Sequence, residues 1–170
     1  MTRIGLLSDT HGMLDERVFE HFANCDEIWH AGDIGDISVL GELKKICPIV
    51  KGVYGNIDGR DIRNEFPEHL IFEVGGMKVW ITHIGGYPGR YPPAIKAMMK
   101  TVKPEIFICG HSHILKVMRD PLYDNMIVLN PGAAGTHGWH KVKTLLRFKI
   151  NNGKFLDLEV VELGKRGAID

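Results

Sequence analysis

The sequence predicts an α/β fold built from stacked layers, and three patterns predict it. The first half alternates short apolar, β-like runs with segments of helical period. A two-glycine connection in the middle, Gly75-Gly76, suits a tight hairpin that begins a second sheet. A long alternating hairpin then closes the chain.

Taken in order, Ile4 to Ser8 is the first expected strand. Asp15 is placed to cap a helix in which Val18, Phe19, Phe22 and Ala23 recur at helical spacing. Ile28 to Ala31 returns as a strand. Ile37, Leu40, Leu43 and Ile46 mark a second amphipathic helix stopped by Pro48, and Ile49 to Tyr54 forms the third strand. These are two β-α-β units in succession. Leu70 to Val74 and Met77 to Ile81 flank the two glycines. Pro92-Pro93 can open a helix, because proline's missing donor is harmless in the first turn, and Ile95, Met98, Met99 and Val102 give it an apolar stripe before Lys103-Pro104 ends it. Further strands are expected at Ile106 to Cys109, Leu115 to Met118 and Ile127 to Leu129. The closing hairpin turns at Asn151-Asn152-Gly153, with Leu146, Phe148 and Ile150 alternating on one arm and Leu156, Leu158 and Val160 on the other. Positions 1–170 read as a single domain without repeat or linker.

Composition narrows the function classes. Hydrophobic content of 44% over 170 residues suffices for one substantial core. Lys plus Arg and Asp plus Glu each total 21, so no global basic surface points to nucleic acid or an acidic membrane. Cys25, Cys47 and Cys109 are odd in number and widely spaced, which fits reduced thiols rather than a disulfide framework. The apolar stretch after Met1-Thr2-Arg3 is too short for a signal or spanning segment, so a cytoplasmic protein without membrane contact is expected.

Five short polar motifs each follow an apolar run: Asp9-Thr10-His11, Gly32-Asp33, Gly55-Asn56-Ile57-Asp58, Thr82-His83 and Gly110-His111-Ser112-His113. They supply seven potential metal ligands, Asp9, His11, Asp33, Asn56, His83, His111 and His113. Two carboxylates, four imidazoles and one amide form a mixed oxygen and nitrogen set suited to Mn²⁺, Fe²⁺ or Zn²⁺ rather than to a soft thiolate site. Asp, Asn and Gly favour turns in any protein, so one or two such motifs mean little. Histidine has no special turn role, yet four of the seven positions are histidines. Each motif also sits where an expected strand gives way to a loop, which is where ligands gather in α/β sheets.

The motifs and their order resemble those of the calcineurin-like metallophosphoesterase superfamily, over positions 1–135. The short, uninterrupted length resembles its small phosphodiesterase branch, which also contains the retromer subunit vacuolar sorting protein 29. The resemblance implies two stacked mixed β-sheets flanked by helices, a four-layer α-β-β-α sandwich. It also implies a binuclear, metal-dependent phosphodiesterase or phosphoesterase, a hydrolase of a small phosphate ester. Matched by position, Asp9, His11 and His113 would hold one divalent ion and Asn56, His83 and His111 the other, with Asp33 bridging both. Mn is the expected metal, with Fe, Zn or Ni as alternatives. Paired ions roughly 3.5–4 Å apart acidify a shared water for in-line attack on phosphorus, with Asp33 and Asn56 as the catalytic protein groups. His111 and His113 are expected on one side of an extended segment.

The chain departs from the resemblance at two points. Many members carry His after the Gly-Asn pair, where it can protonate the leaving oxygen; here Ile57 cannot, leaving Asp58, another histidine or water. Ile84-Gly85-Gly86 follows His83 where an immediate glycine is common. Arg90 in the next loop is expected in solvent rather than on substrate. His30 reads as a structural histidine or a partner of a ligand, and His21 and His69 as surface residues. Asn130-Pro131-Gly132 resembles a family turn near the metal site, and the Gly135 to His140 segment after it reads either as lining of the substrate mouth or, by default, as an ordinary exposed loop. The competing function is a protein-interaction scaffold that keeps the fold without turnover. Met98, Met99, Tyr87 and Trp139 are candidates for an apolar patch supporting a homo-oligomer.

Overall fold

The computed structural model describes residues 1–167, so the last three positions of the expected domain lie outside the described residues. Ten strands form two five-stranded sheets, in the orders β10-β9-β1-β2-β3 and β4-β5-β6-β8-β7. In the first, β1 (Thr2–Leu7), β2 (Glu27–His30) and β3 (Val50–Gly52) are parallel. β9 (Val142–Asn151) runs antiparallel to β1 and pairs with β10 (Lys154–Lys165). In the second, β5 (Met77–Thr82), β6 (Ile106–Ile108) and β8 (Met126–Asn130) are parallel, and β4 (His69–Val74) and β7 (Lys116–Asp120) close the two edges antiparallel.

Strand alternation builds the layers. Ile4, Leu6, Trp29, Leu146 and Phe148 from the first sheet meet Val79, Ile81, Ile106, Ile108 and Leu129 from the second in one buried cluster. The neighbouring residues Leu7, Ile28 and Leu145 point the other way. They pack under α1 (Arg17–Phe22), α2 (Ile37–Ile46) and α3 (Arg60–Glu65) through Val18, Phe22, Leu40, Leu43 and Ile62. On the far side, Trp80, Phe107 and Val128 receive Ile95 and Met99 of α4 (Pro93–Val102). The four-layer α-β-β-α sandwich is therefore present, with two mixed sheets as expected.

Several local expectations shift. Asp15 does not stand at the cap position itself, which is Glu16; it accepts the Arg17 N–H at 2.9 Å and binds the Arg17 and Lys143 side chains. The short helix α3, absent from the sequence reading, contains Ile62 as its single buried residue and so carries no periodic signal. The last hairpin does not alternate throughout. Its register shifts between Leu156 and Glu159, where Asp157 takes φ 53°. Phe155 and Leu158 consequently face the inter-sheet core, whereas Val161 and Leu163 face the helices and Val160 is exposed. Met99 belongs to the core and is lost to any surface patch. Among the described residues the three cysteines are free, and no helix is long and apolar enough to cross a membrane.

Candidate metal centre

Asp9, Asp33, Asn56, His83 and His111 follow β1, β2, β3, β5 and β6, so both sheets deliver side chains from the carboxyl ends of parallel strands. The backbone there is not ordinary turn. Asp9, His11, Asp33, His111 and His113 have φ of 56°, 50°, 55°, 67° and 61°. A left-handed conformation costs a side-chain-bearing residue about 1–2 kcal/mol, and such strain concentrates at functional sites. The expected extended pair His111 and His113 is thus replaced by two left-handed residues around Ser112. Asn130 holds that turn, its amide donating to the Gly110 carbonyl at 2.9 Å and to Ser112 Oγ at 3.1 Å. Close approach explains two glycines. A Cβ at Gly55 would collide with the Asp33 carboxylate, and one at Gly110 with Ser8 Oγ and Asp9.

The donor atoms fall into two groups, Asp9 with His11 and His113, and Asp33 with His83 and His111. Within each group one ligand atom per residue lies within 4.8 Å of the others. Asp9 Oδ2 accepts from Ser8 Oγ at 2.6 Å and from the His111 N–H at 3.1 Å. Asp9 Oδ1 lies 3.1 Å from His113 Nε2 and 3.9 Å from both His11 Nε2 and His83 Nε2. Asp33 faces both groups with different oxygens: Oδ1 is 3.2 Å from His83 Nε2 and Oδ2 is 3.5 Å from His11 Nε2. The Ile57 N–H steadies Asp33 Oδ1 at 3.1 Å. Asn56 is exposed and lines the same cavity beside Asp33.

A cation fits this arrangement. Asp9 Oδ1, His11 Nε2 and His83 Nε2 are buried and have no hydrogen-bond partner among the described residues. Leaving such atoms unpaired costs about 1–3 kcal/mol each, which a shared positive ligand would offset. His83 Nδ1 lies 2.7 Å from the Ala31 carbonyl, which can only accept, so the ring proton sits on Nδ1 and Nε2 presents its lone pair. Burial opposes charging of His83, but contact with Asp33 and the Asp9 charge outweigh it and raise its pKa. Burial would raise Asp33, yet His83 and the Ile57 N–H hold it below the usual carboxylate value. Burial dominates at His11 and lowers its pKa despite the two carboxylates.

The surroundings settle several open assignments. Asp58 is buried and engaged by the loops: its carboxylate accepts three backbone N–H groups, from Ile34, Gly35 and Gly55, at 3.1, 2.8 and 2.7 Å. His30 is structural. Gly32 N–H donates to its Nδ1 at 3.1 Å, Thr10 Oγ1 lies 3.0 Å from its Nε2, and burial pushes its pKa down to about 4. His69 is half-buried rather than a plain surface residue, accepting from the Trp80 indole N–H at 3.3 Å. Arg90 is exposed and lines no part of the ligand cavity.

That cavity, of about 480 Å³, is also lined by His137 to His140, which favours the substrate-mouth alternative over the default exposed loop. His137 stacks on His11 with ring centroids 4.7 Å apart, and His140 meets His113 edge-on at 5.2 Å. Trp139 stands 98% exposed at the mouth. The sequence signals for these residues are the family-like Asn130-Pro131-Gly132 turn and the density of histidines after it.

The family model for the calcineurin-like phosphoesterase superfamily domain matches residues 2–153. The chain belongs to that superfamily. A probable metallophosphoesterase of Methanothermobacter thermautotrophicus is 29% identical over 168 residues, covering 95% of this chain and 92% of that protein. Among solved structures, Vps29 of Entamoeba histolytica complexed with Zn²⁺ aligns with TM-score 0.73 at 16% identity, covering 94% of this chain and 98% of that one. An archaeal phosphodiesterase aligns with TM-score 0.67 at 21% identity over 95% and 99% of the two chains. At such identities these structures bear on the fold alone. This metallophosphoesterase family is metal-dependent, and its membership makes the chain a phosphoesterase-type hydrolase.

Proposed function

We propose that this protein is a phosphodiesterase that works with two divalent cations. The observation that carries the reading is the convergence of three buried, unpartnered donor atoms, Asp9 Oδ1, His11 Nε2 and His83 Nε2, around Asp33. Asp9, His11 and His113 would hold one ion, Asn56, His83 and His111 the other, and Asp33 both. The donor set suits Mn²⁺, with Fe²⁺, Zn²⁺ and Ni²⁺ as alternatives. When bound, such ions supply Lewis acidity toward water and toward phosphate oxygens.

The chain's own groups do the positioning. Ser8 and the His111 N–H orient Asp9, the Ala31 carbonyl fixes the His83 tautomer, and the Ile57 N–H orients Asp33. Asn56 offers amide N–H donors at the cavity mouth to a non-bridging phosphate oxygen. In hydrolysis the water oxygen joins phosphorus, the ester P–O bond breaks, and the departing oxygen takes a proton. With Ile57 inert and Asp58 occupied, exposed His137 beside His11 is the imidazole in place to give it. An archaeal phosphodiesterase and Vps29 share the fold, so the fold accommodates both the diesterase reading and the scaffold as second reading.

The test is hydrolysis of an aryl phosphodiester by metal-stripped protein with and without Mn²⁺, beside Asp33→Asn. Mn²⁺-dependent turnover that the variant loses is expected. A folded, metal-loaded wild type that turns over neither diester nor monoester would transfer the assignment to the scaffold.

A further inference from the structure

A second cavity, of about 430 Å³, is lined by Asn56 and His83. Asn56 lines both cavities, so the two meet at the candidate metal centre. Ile95 and Met98 of α4 give the second one apolar wall, and Arg63 of α3 lines it as well. The guanidinium carbon of Arg63 lies 4.3 Å from the centroid of the Tyr54 ring, and its Nε donates to the Asp58 carbonyl at 2.7 Å. These contacts orient the guanidinium plane and leave its terminal amines free for an acceptor. The carbonyl belongs to the same Asp58 whose carboxylate gathers the loops of the centre, so Arg63 is tied to the reacting position rather than to a remote surface.

The cavities differ in lining. The first contains His137, which no hydrogen bond among the described residues engages. In the second, His69 Nδ1 accepts a hydrogen bond from the Trp80 indole N–H and its Nε2 lies 3.9 Å from Glu68. Diester hydrolysis expels one ester arm and keeps the other, and the fixed guanidinium of Arg63 suits the arm that stays bound.

We propose that the second cavity receives the retained ester arm of a phosphodiester, with the fixed Arg63 guanidinium donating to an acceptor on it, while the leaving arm lies in the first. The proposal rests on the phosphodiesterase reading. The matching arm has an apolar body and an acceptor at its edge, as an aryl group with a polar substituent or a nucleoside has, and a cavity of this size admits it.

The test compares bis(p-nitrophenyl) phosphate with methyl p-nitrophenyl phosphate on Mn²⁺-loaded protein. Both release the same leaving group and differ in the retained arm. Arg63→Ala removes the donor. Ala94→Trp fills the cavity from an exposed position in the first turn of α4, where the fold does not depend on it. Each variant is expected to lower the bis-aryl to methyl-aryl ratio of kcat/KM about tenfold relative to wild type, chiefly through KM. An unchanged ratio in Ala94→Trp overturns the proposal, whatever Arg63→Ala does to folding. Wild-type protein inactive on both esters overturns the phosphodiesterase reading itself, and this inference with it.

Discussion

Left-handed backbone at side-chain-bearing residues occurs in two parts of this molecule, the ligand rim and the turns elsewhere. At Lys103, Asp124, Asn125, Asn152 and Asp157 it ends a helix, closes turns or accommodates a bulge. Glycine would serve as well at such places. At Asp9, His11, Asp33, His111 and His113 glycine would satisfy the backbone and destroy the site, because the side chain is the donor. Equal strain therefore has opposite meanings: it is incidental in the turns and inseparable from function at the rim. Unpaired polar atoms follow the same division, since three of the five among the described residues are rim donors.

The strongest way to break this contrast is Asp33→Asn. Removing the carboxylate that faces both groups is expected to lower turnover roughly a thousandfold, the scale of losing a preorganised electrostatic contact, and to reduce bound metal in elemental analysis. Full metal content with normal turnover would remove Asp33 from its central role. Next comes Gly55→Ala, whose Cβ meets the Asp33 carboxylate. Displacing that group should cost about a hundredfold in kcat while thermal unfolding still shows a cooperative fold.

The contrast is sharpened by paired glycine substitutions measured with chelator present. Lys103→Gly, at the left-handed end of α4, and His111→Gly, exposed at the rim, should each raise metal-free stability by roughly 1 kcal/mol in denaturant midpoints at constant m. Only His111→Gly should weaken metal binding. A loss of metal-free stability in His111→Gly would show that its conformation is not strained.

The smallest effect lies away from the rim. Burial would raise the Asp15 pKa, but Arg17 and Lys143 hold it well below the usual carboxylate range. Its folded-state pKa is therefore depressed. The stability it contributes is complete above the unfolded value of about 4 and is lost as pH falls toward the folded one. Between about pH 4 and pH 3 the loss should stay under about 1 kcal/mol, and Lys143→Met should flatten it in acid unfolding curves.

Much of the fold was legible because its first half is periodic. Val18 and Phe22, or Leu40 and Leu43, announce helices whose apolar faces the sheet then buries. The same logic fails for α3, where one apolar residue makes no period, and for β10, where a bulge at Asp157 exchanges the two faces of the strand. At the candidate site the residue types and their order after strands were readable. The engagement of Asp58 was not, and the mouth position of His137 to His140 stood only as the alternative to an exposed loop, since each depends on partners distant in the chain.

By itself the sequence determined which chemical groups stand at strand ends and how the layers alternate, because side-chain type and periodicity are local properties. Only the tertiary structure decided that Asp33 faces two groups of donors, that five of the seven candidate ligands take left-handed backbone, and that two cavities meet at Asn56. Those facts depend on where one sheet stops relative to the other, and packing across the shared core sets that distance.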